Sequence, residues 1–76
     1  MKAIVWSKHQ CPYCVQAKNL LAAKGIEYEE RNVQETWNKE QLLEAVPAAK
    51  TLPQIFLDGE YVGGFAELRQ RLTNAN

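Results

Sequence analysis

The sequence has no excess charge of either sign: nine acidic and nine basic residues leave a formal net charge of zero. Nucleic-acid and membrane-surface binding usually need a basic field, so neither is expected. No apolar run is long enough for a membrane span or a signal-peptide core; the run near the N-terminus stops at Trp6. The chain therefore reads as soluble, unprocessed and cytoplasmic. Histidine occurs once, at His9, and cysteine twice, at Cys11 and Cys14. A zinc site takes about four ligands. Only His9 could join the two cysteines, so no metal is expected. A disulfide scaffold would use more cysteines and spread them to close long loops. A bridge from Cys11 to Cys14 closes almost none, so the pair reads as reactive rather than structural. There is no linker, repeat or low-complexity stretch. At 76 residues there is no length for a second core, which gives a single domain over residues 1–76. An apolar content of 46% argues against disorder.

Hydrophobic periodicity and punctuation supply the elements. Lys2 to Ser7, with Ile4, Val5 and Trp6, reads as a buried strand. Pro12 suits the first position of a helix that starts near Cys11, places Cys14, Ala17 and Leu21 on one face and stops at Gly25. Glu27 to Val33 reads as a second, more polar strand near an edge. Thr36 or Asn38 can cap a second helix, and Asn38 with Gln41 has capping-box spacing. Leu42, Leu43 and Val46 form its apolar stripe. Gln54 to Leu57 and Glu60 to Val62 flank Asp58-Gly59, a strong hairpin signal. Gly63-Gly64 break the strand, and Phe65, Leu68 and Leu72 mark a final helix ending within a few residues of Leu72. The order is β-α-β-α-β-β-α, an α/β class. A parallel first pair and an antiparallel hairpin give one mixed four-stranded sheet flanked by helices.

A Cys-x-x-Cys between a strand and a helix in a βαβ pattern reads as a redox motif. The thiolate is the nucleophile, and an unperturbed cysteine has a pKa of about 8.5. Unpaired N–H groups at a helix start stabilise a negative sulfur. Cys11 occupies that position, and Cys14 lies one turn deeper. Cys11 is therefore expected to attack and Cys14 to resolve the mixed disulfide. Pro12 fixes the backbone between them, and Lys8 can add positive charge near Cys11 if the loop folds back. His9 reads as an exposed loop residue rather than a base. Leu52, preceding Pro53, is biased to extended geometry and can offer its N–H and C=O to a peptide-like substrate. Pro53 could equally be an ordinary strand starter. Two glycines ahead of a helix let the backbone approach a ligand, and the N–H groups of Phe65 and Ala66 can form a small anion site. Gly63-Gly64 could also be only a tight turn.

Three segments together resemble the glutaredoxin family, over nearly the whole chain and in the right order. Ser7-Lys8-His9-Gln10-Cys11-Pro12-Tyr13-Cys14 is similar to the family's active-site segment, including a lysine three residues before the first cysteine. Thr51-Leu52-Pro53-Gln54-Ile55-Phe56 resembles its Thr-Val-Pro segment, and Gly63-Gly64-Phe65 its Gly-Gly-x segment. The resemblance implies a thioredoxin fold, in agreement with the element order. It also implies a cis Pro53 facing Cys11, a glutathione γ-glutamyl carboxylate at Gly64, Phe65 and Ala66, and the glycine carboxylate near Lys8. Tyr13 and Thr51 would line the groove, Gln41 is a further candidate, and Pro12, Gly63 and Glu67 would support the site.

The activity so implied is glutathione-dependent thiol–disulfide exchange in cell redox homeostasis, by a monomer with no permanent cofactor. Glutathione is the co-substrate, and protein disulfides, ribonucleotide reductase among them, are the clients. Family members often carry two aspartates where this chain has Ala66 and Glu67. One lost charge-assisted bond weakens glutathione binding by roughly 1.5–3 kcal/mol. That difference and the short chain also fit a glutaredoxin-like hydrogen donor for ribonucleotide reductase, reduced by thioredoxin reductase. A third reading, an iron–sulfur cluster carrier, suits chains with a single active-site cysteine better than this pair. A fourth is a binding module in which Cys11 is unreactive.

Overall fold

The computed structural model describes residues 1–73. Strand β1, Lys2–Ser7, sits inside a four-stranded sheet of order β2-β1-β3-β4. It pairs in parallel with β2, Glu27–Asn32, and antiparallel with β3, Gln54–Leu57, which pairs antiparallel with β4, Glu60–Gly63. Both faces of β1 are covered, which explains its nearly continuous apolar run. Ala3 and Val5 face one core, with Ala17 and Leu21 from helix α1, Pro12–Ala23, and Leu68 from helix α3, Phe65–Thr73. Trp6 and Ile4 face the other, with Leu42 of helix α2, Lys39–Ala45, and with Val46, Leu52 and Phe56. Helices α1 and α3 therefore cover one side of the sheet and α2 the other. This is the mixed sheet and element order expected of a thioredoxin fold.

Local chemistry sets the boundaries. Pro12 opens α1 with Cys11 as its N-cap. The helix ends in a Schellman motif: Gly25 has φ +69°, its N–H donates to the Ala22 carbonyl at 3.0 Å, and that of Ile26 donates to Leu21 at 2.9 Å. Asn38, not Thr36, caps α2, with the full reciprocal box to Gln41. Asp58 and Gly59 both have positive φ, at +49° and +82°, as a two-residue hairpin turn with the strands' own twist requires. Two boundaries differ by one residue from the sequence reading. The second strand stops at Asn32 rather than Val33, because β1 ends opposite at Ser7; Val33 packs instead beside Trp6. Gly63 stays in β4 with φ +124°, and the break falls at Gly64. None of the described helices is long and apolar enough to cross a membrane.

Candidate active site

The sheet topology brings three distant segments to one end. Loop 8–10 leaves the C-terminal end of β1 and delivers Cys11 to the start of α1. Because β3 runs antiparallel beside β1, with Gln54 opposite Trp6, the segment just ahead of β3 lies against that loop. The end of β4 pairs back on Ile55 at Gly63, so the start of α3 arrives at the same place.

Cys11 and Cys14 form a disulfide, with Cα atoms 5.2 Å apart. Cys11 is 8% exposed and Cys14 only 1%. The Cys14 N–H donates to Cys11 Sγ at 3.2 Å, so the helix start already directs one backbone donor at that sulfur. Cys11 Sγ also lies 3.7 Å from the Leu52 carbonyl oxygen. The Leu52–Pro53 bond is cis, as the resemblance implied.

A groove of about 410 Å³ lies beside the pair, lined by Tyr13, by Thr51, Leu52 and Pro53, and by Gly64 to Glu67. These are eight of the residues that the sequence nominated. The Tyr13 ring stacks on Phe65, with centroids 6.0 Å apart. Phe65 and Ala66 open α3, where helical N–H groups lack partners within the helix. Glu67 has a second occupation: its carboxylate folds back and accepts the Gly64 N–H at 2.8 Å. A Cβ on Gly63 would meet the Glu67 side chain at 3.0 Å, so this close fold-back and the positive φ both call for glycine there. The Gly-x-x-Glu spacing is a capping signal that could have been read from the sequence.

Other nominated side chains lie elsewhere. Lys8 is exposed and lines two neighbouring clefts rather than the groove. His9 is exposed and pairs with Glu35 at 3.3 Å. Gln41 uses its side chain in the α2 capping box. Beneath the cysteine loop the structure reveals a network that the sequence did not signal. Fully buried Ser7 donates from Oγ to Glu30 at 2.7 Å, and Lys18 Nζ reaches the same carboxylate oxygen at 2.9 Å. Burial pushes the Glu30 pKa up, but the hydrogen bonds from Ser7 and Lys18 and the charges of Lys18 and His9 outweigh it. The net effect is to hold the carboxyl below its ordinary value.

This arrangement can make and break a sulfur–sulfur bond, with Cys11 the less buried of the two residues. It also offers the Leu52 main chain ahead of the cis proline and a helix N-terminus beside it. The glutaredoxin family model matches residues 3–62. Glutaredoxin 1 of Rickettsia conorii is 43% identical over 63 residues, covering 80% of this chain; the chain spans 62% of that relative's length. Glutaredoxin 3 of Escherichia coli K12 is 34% identical over 64 residues, covering 84% of this chain and 77% of the relative. The solved structure of reduced Escherichia coli glutaredoxin superposes with a TM-score of 0.77 at 30% identity, covering 99% of this chain and 98% of its own.

Proposed function

The chain belongs to the glutaredoxin family, and we propose that it is a glutathione-dependent thiol–disulfide oxidoreductase with Cys11 as nucleophile and Cys14 as resolving thiol. The observation that carries this reading is the position of the less buried cysteine. Cys11 stands at a helix start, under a backbone donor and 3.7 Å from the carbonyl of Leu52, a residue that lines the groove.

The Cys11 thiolate attacks one sulfur of the substrate disulfide. That S–S bond breaks, a Cys11 mixed disulfide forms, and the first product leaves as a thiolate that takes a proton from water. Cys14, deprotonated, attacks Cys11 Sγ and releases the second thiol, leaving the Cys11–Cys14 disulfide. One glutathione thiolate then attacks Cys11 Sγ, because Cys14 is shielded, and a second removes the first as oxidised glutathione. Two glutathiones are oxidised for each disulfide reduced to two thiols.

In the groove, an extended glutathione would pair with the Leu52 main chain, as an added strand does. Its γ-glutamyl carboxylate would take the N–H groups of Phe65 and Ala66. Thr51, Pro53 and Tyr13 would form the wall, and Gly64 would leave room for backbone approach. Lys8 would act on the glycine carboxylate from beyond Thr51. A protein disulfide would enter along the same edge; cytoplasmic work as a monomer and service to ribonucleotide reductase extend this reading.

A second reading has one observation in its favour. Ala66 offers no acceptor for the glutathione ammonium, and the Glu67 carboxylate already holds Gly64 N–H. A weakened glutathione site suits a hydrogen donor reduced by thioredoxin reductase.

The mechanism separates two activities. Cys14→Ser should retain reduction of a glutathione mixed disulfide and lose reduction of dithiol-type protein disulfides, while Cys11→Ser should lose both. Steady-state rates on the two substrates check this, and full activity in Cys11→Ser would overturn the assignment.

A further inference from the structure

A short chain of side-chain hydrogen bonds runs from β4 to the main chain ahead of Pro53. Tyr61 lies opposite Phe56 in the β3–β4 pair, and Gln54 precedes Phe56 by two residues, so the three share one face of the sheet. The Tyr61 ring rests against Phe56, with centroids 5.4 Å apart. Its hydroxyl donates to Gln54 Oε1 at 2.5 Å. Gln54 is buried, and its Nε2 donates to the Thr51 carbonyl at 2.8 Å. An amide oxygen only accepts, so the tyrosine hydroxyl holds Oε1 and leaves the NH2 end to face Thr51. Without that hydroxyl, Oε1 would lose its partner in a buried side chain, which favours rotamers that carry the amide to water.

The atom held at the end of this chain belongs to the substrate edge. The Thr51–Leu52 peptide is trans and planar, so its carbonyl oxygen and the Leu52 N–H point in opposite directions from one rigid unit. Holding the oxygen therefore fixes the direction of the N–H. The next peptide carries the Leu52 carbonyl, 3.7 Å from Cys11 Sγ. Thr51 and Leu52 line the groove, whereas Gln54 and Tyr61 do not. Their influence on a bound chain passes through the main chain that they hold.

We propose that Gln54 and Tyr61 are positioning residues for substrate binding. Tyr61 orients the Gln54 amide, and that amide sets the Thr51–Leu52 peptide so that the Leu52 N–H meets the main chain of the substrate. The proposal rests on the pairing of glutathione with Leu52 and adds two residues, outside the groove, that determine how tightly it binds. Exchange at sulfur is left alone, since neither side chain is hydrogen-bonded to a cysteine.

Tyr61→Phe tests this most cleanly, because it keeps the ring against Phe56 and deletes only the hydroxyl. KM for the mixed disulfide of glutathione with 2-mercaptoethanol should rise about fivefold, the effect of one hydrogen bond made less often, with kcat unchanged. Alkylation of reduced Cys11 by iodoacetamide, which carries no peptide chain to pair with Leu52, should keep its wild-type rate and pH profile. Gln54→Met should raise KM at least as far, and adding Tyr61→Phe to it should change nothing more, as expected of two residues acting in series. A measurement without substrate stands beside these. The Leu52 amide order parameter from 15N relaxation should fall in Tyr61→Phe, while that of Val5 in β1 stays at its wild-type value. An unchanged KM, an unchanged Leu52 order parameter, additive effects of the two substitutions, or a KM rise matched by an altered alkylation profile would each overturn the proposal. A wild-type protein that turns over no glutathione mixed disulfide would instead overturn the reading of the groove, and the Leu52 amide would still report whether Tyr61 and Gln54 hold that main chain.

Discussion

Glu30 reaches under the cysteine loop from β2, and one of its oxygens takes both the Ser7 hydroxyl and the Lys18 ammonium. Its ionised form is therefore favoured in the folded chain, and its pKa lies below the ordinary value of 4.5. A depressed carboxyl stabilises the fold fully above the unfolded value and loses that contribution as pH falls through the folded one. Glu30→Gln should flatten the acid limb of the stability curve below about pH 4.5, read from urea midpoints at several pH values. An acid slope identical to wild type would mean that the network does not hold in solution. Glu67 illustrates a different residue-scale effect. It stands at the third position of α3 and caps Gly64, so its charge serves the helix start as well as the groove.

Gly25 decides where α1 ends. At φ +69° it sits in the left-handed region, and a Cβ there would meet nothing within 4 Å. Any cost of substitution is then backbone conformation alone. Gly25→Ala should destabilise the protein by about 1 kcal/mol, visible as a lowered urea midpoint with an unchanged slope. No loss of stability would show that the Schellman ending is not held in solution. This element shows what local sequence can specify. Gly25, Asp58-Gly59, Asn38 with Gln41, and Pro12 each encode a turn or cap through their own conformational limits, and each was legible. The strand limits at Asn32 and Gly63 were less so, because they depend on where the partner strands β1 and β3 run out.

At the scale of the whole molecule, the site is a product of strand order. Tyr13, Thr51 to Pro53 and Gly64 to Glu67 meet because β3 lies between β1 and β4. The cysteine chemistry was legible from the motif at the helix start, and the groove from the resemblance of three segments. Neither source indicated which side of Cys11 Lys8 would face, because the direction of an exposed loop side chain follows from packing across the sheet end. The Ser7–Glu30–Lys18 network was equally hidden, since it joins a strand end, a neighbouring strand and a helix that have no shared local pattern.

The most direct measurement is the turnover of the 2-mercaptoethanol–glutathione mixed disulfide by the wild-type protein under two reductants. One assay supplies glutathione with glutathione reductase, and the other supplies thioredoxin reductase alone. Exchange at Cys11 with glutathione as reductant predicts turnover in the first assay, lost in Cys11→Ser, and little in the second. Turnover with thioredoxin reductase only, or none with glutathione, would contradict it.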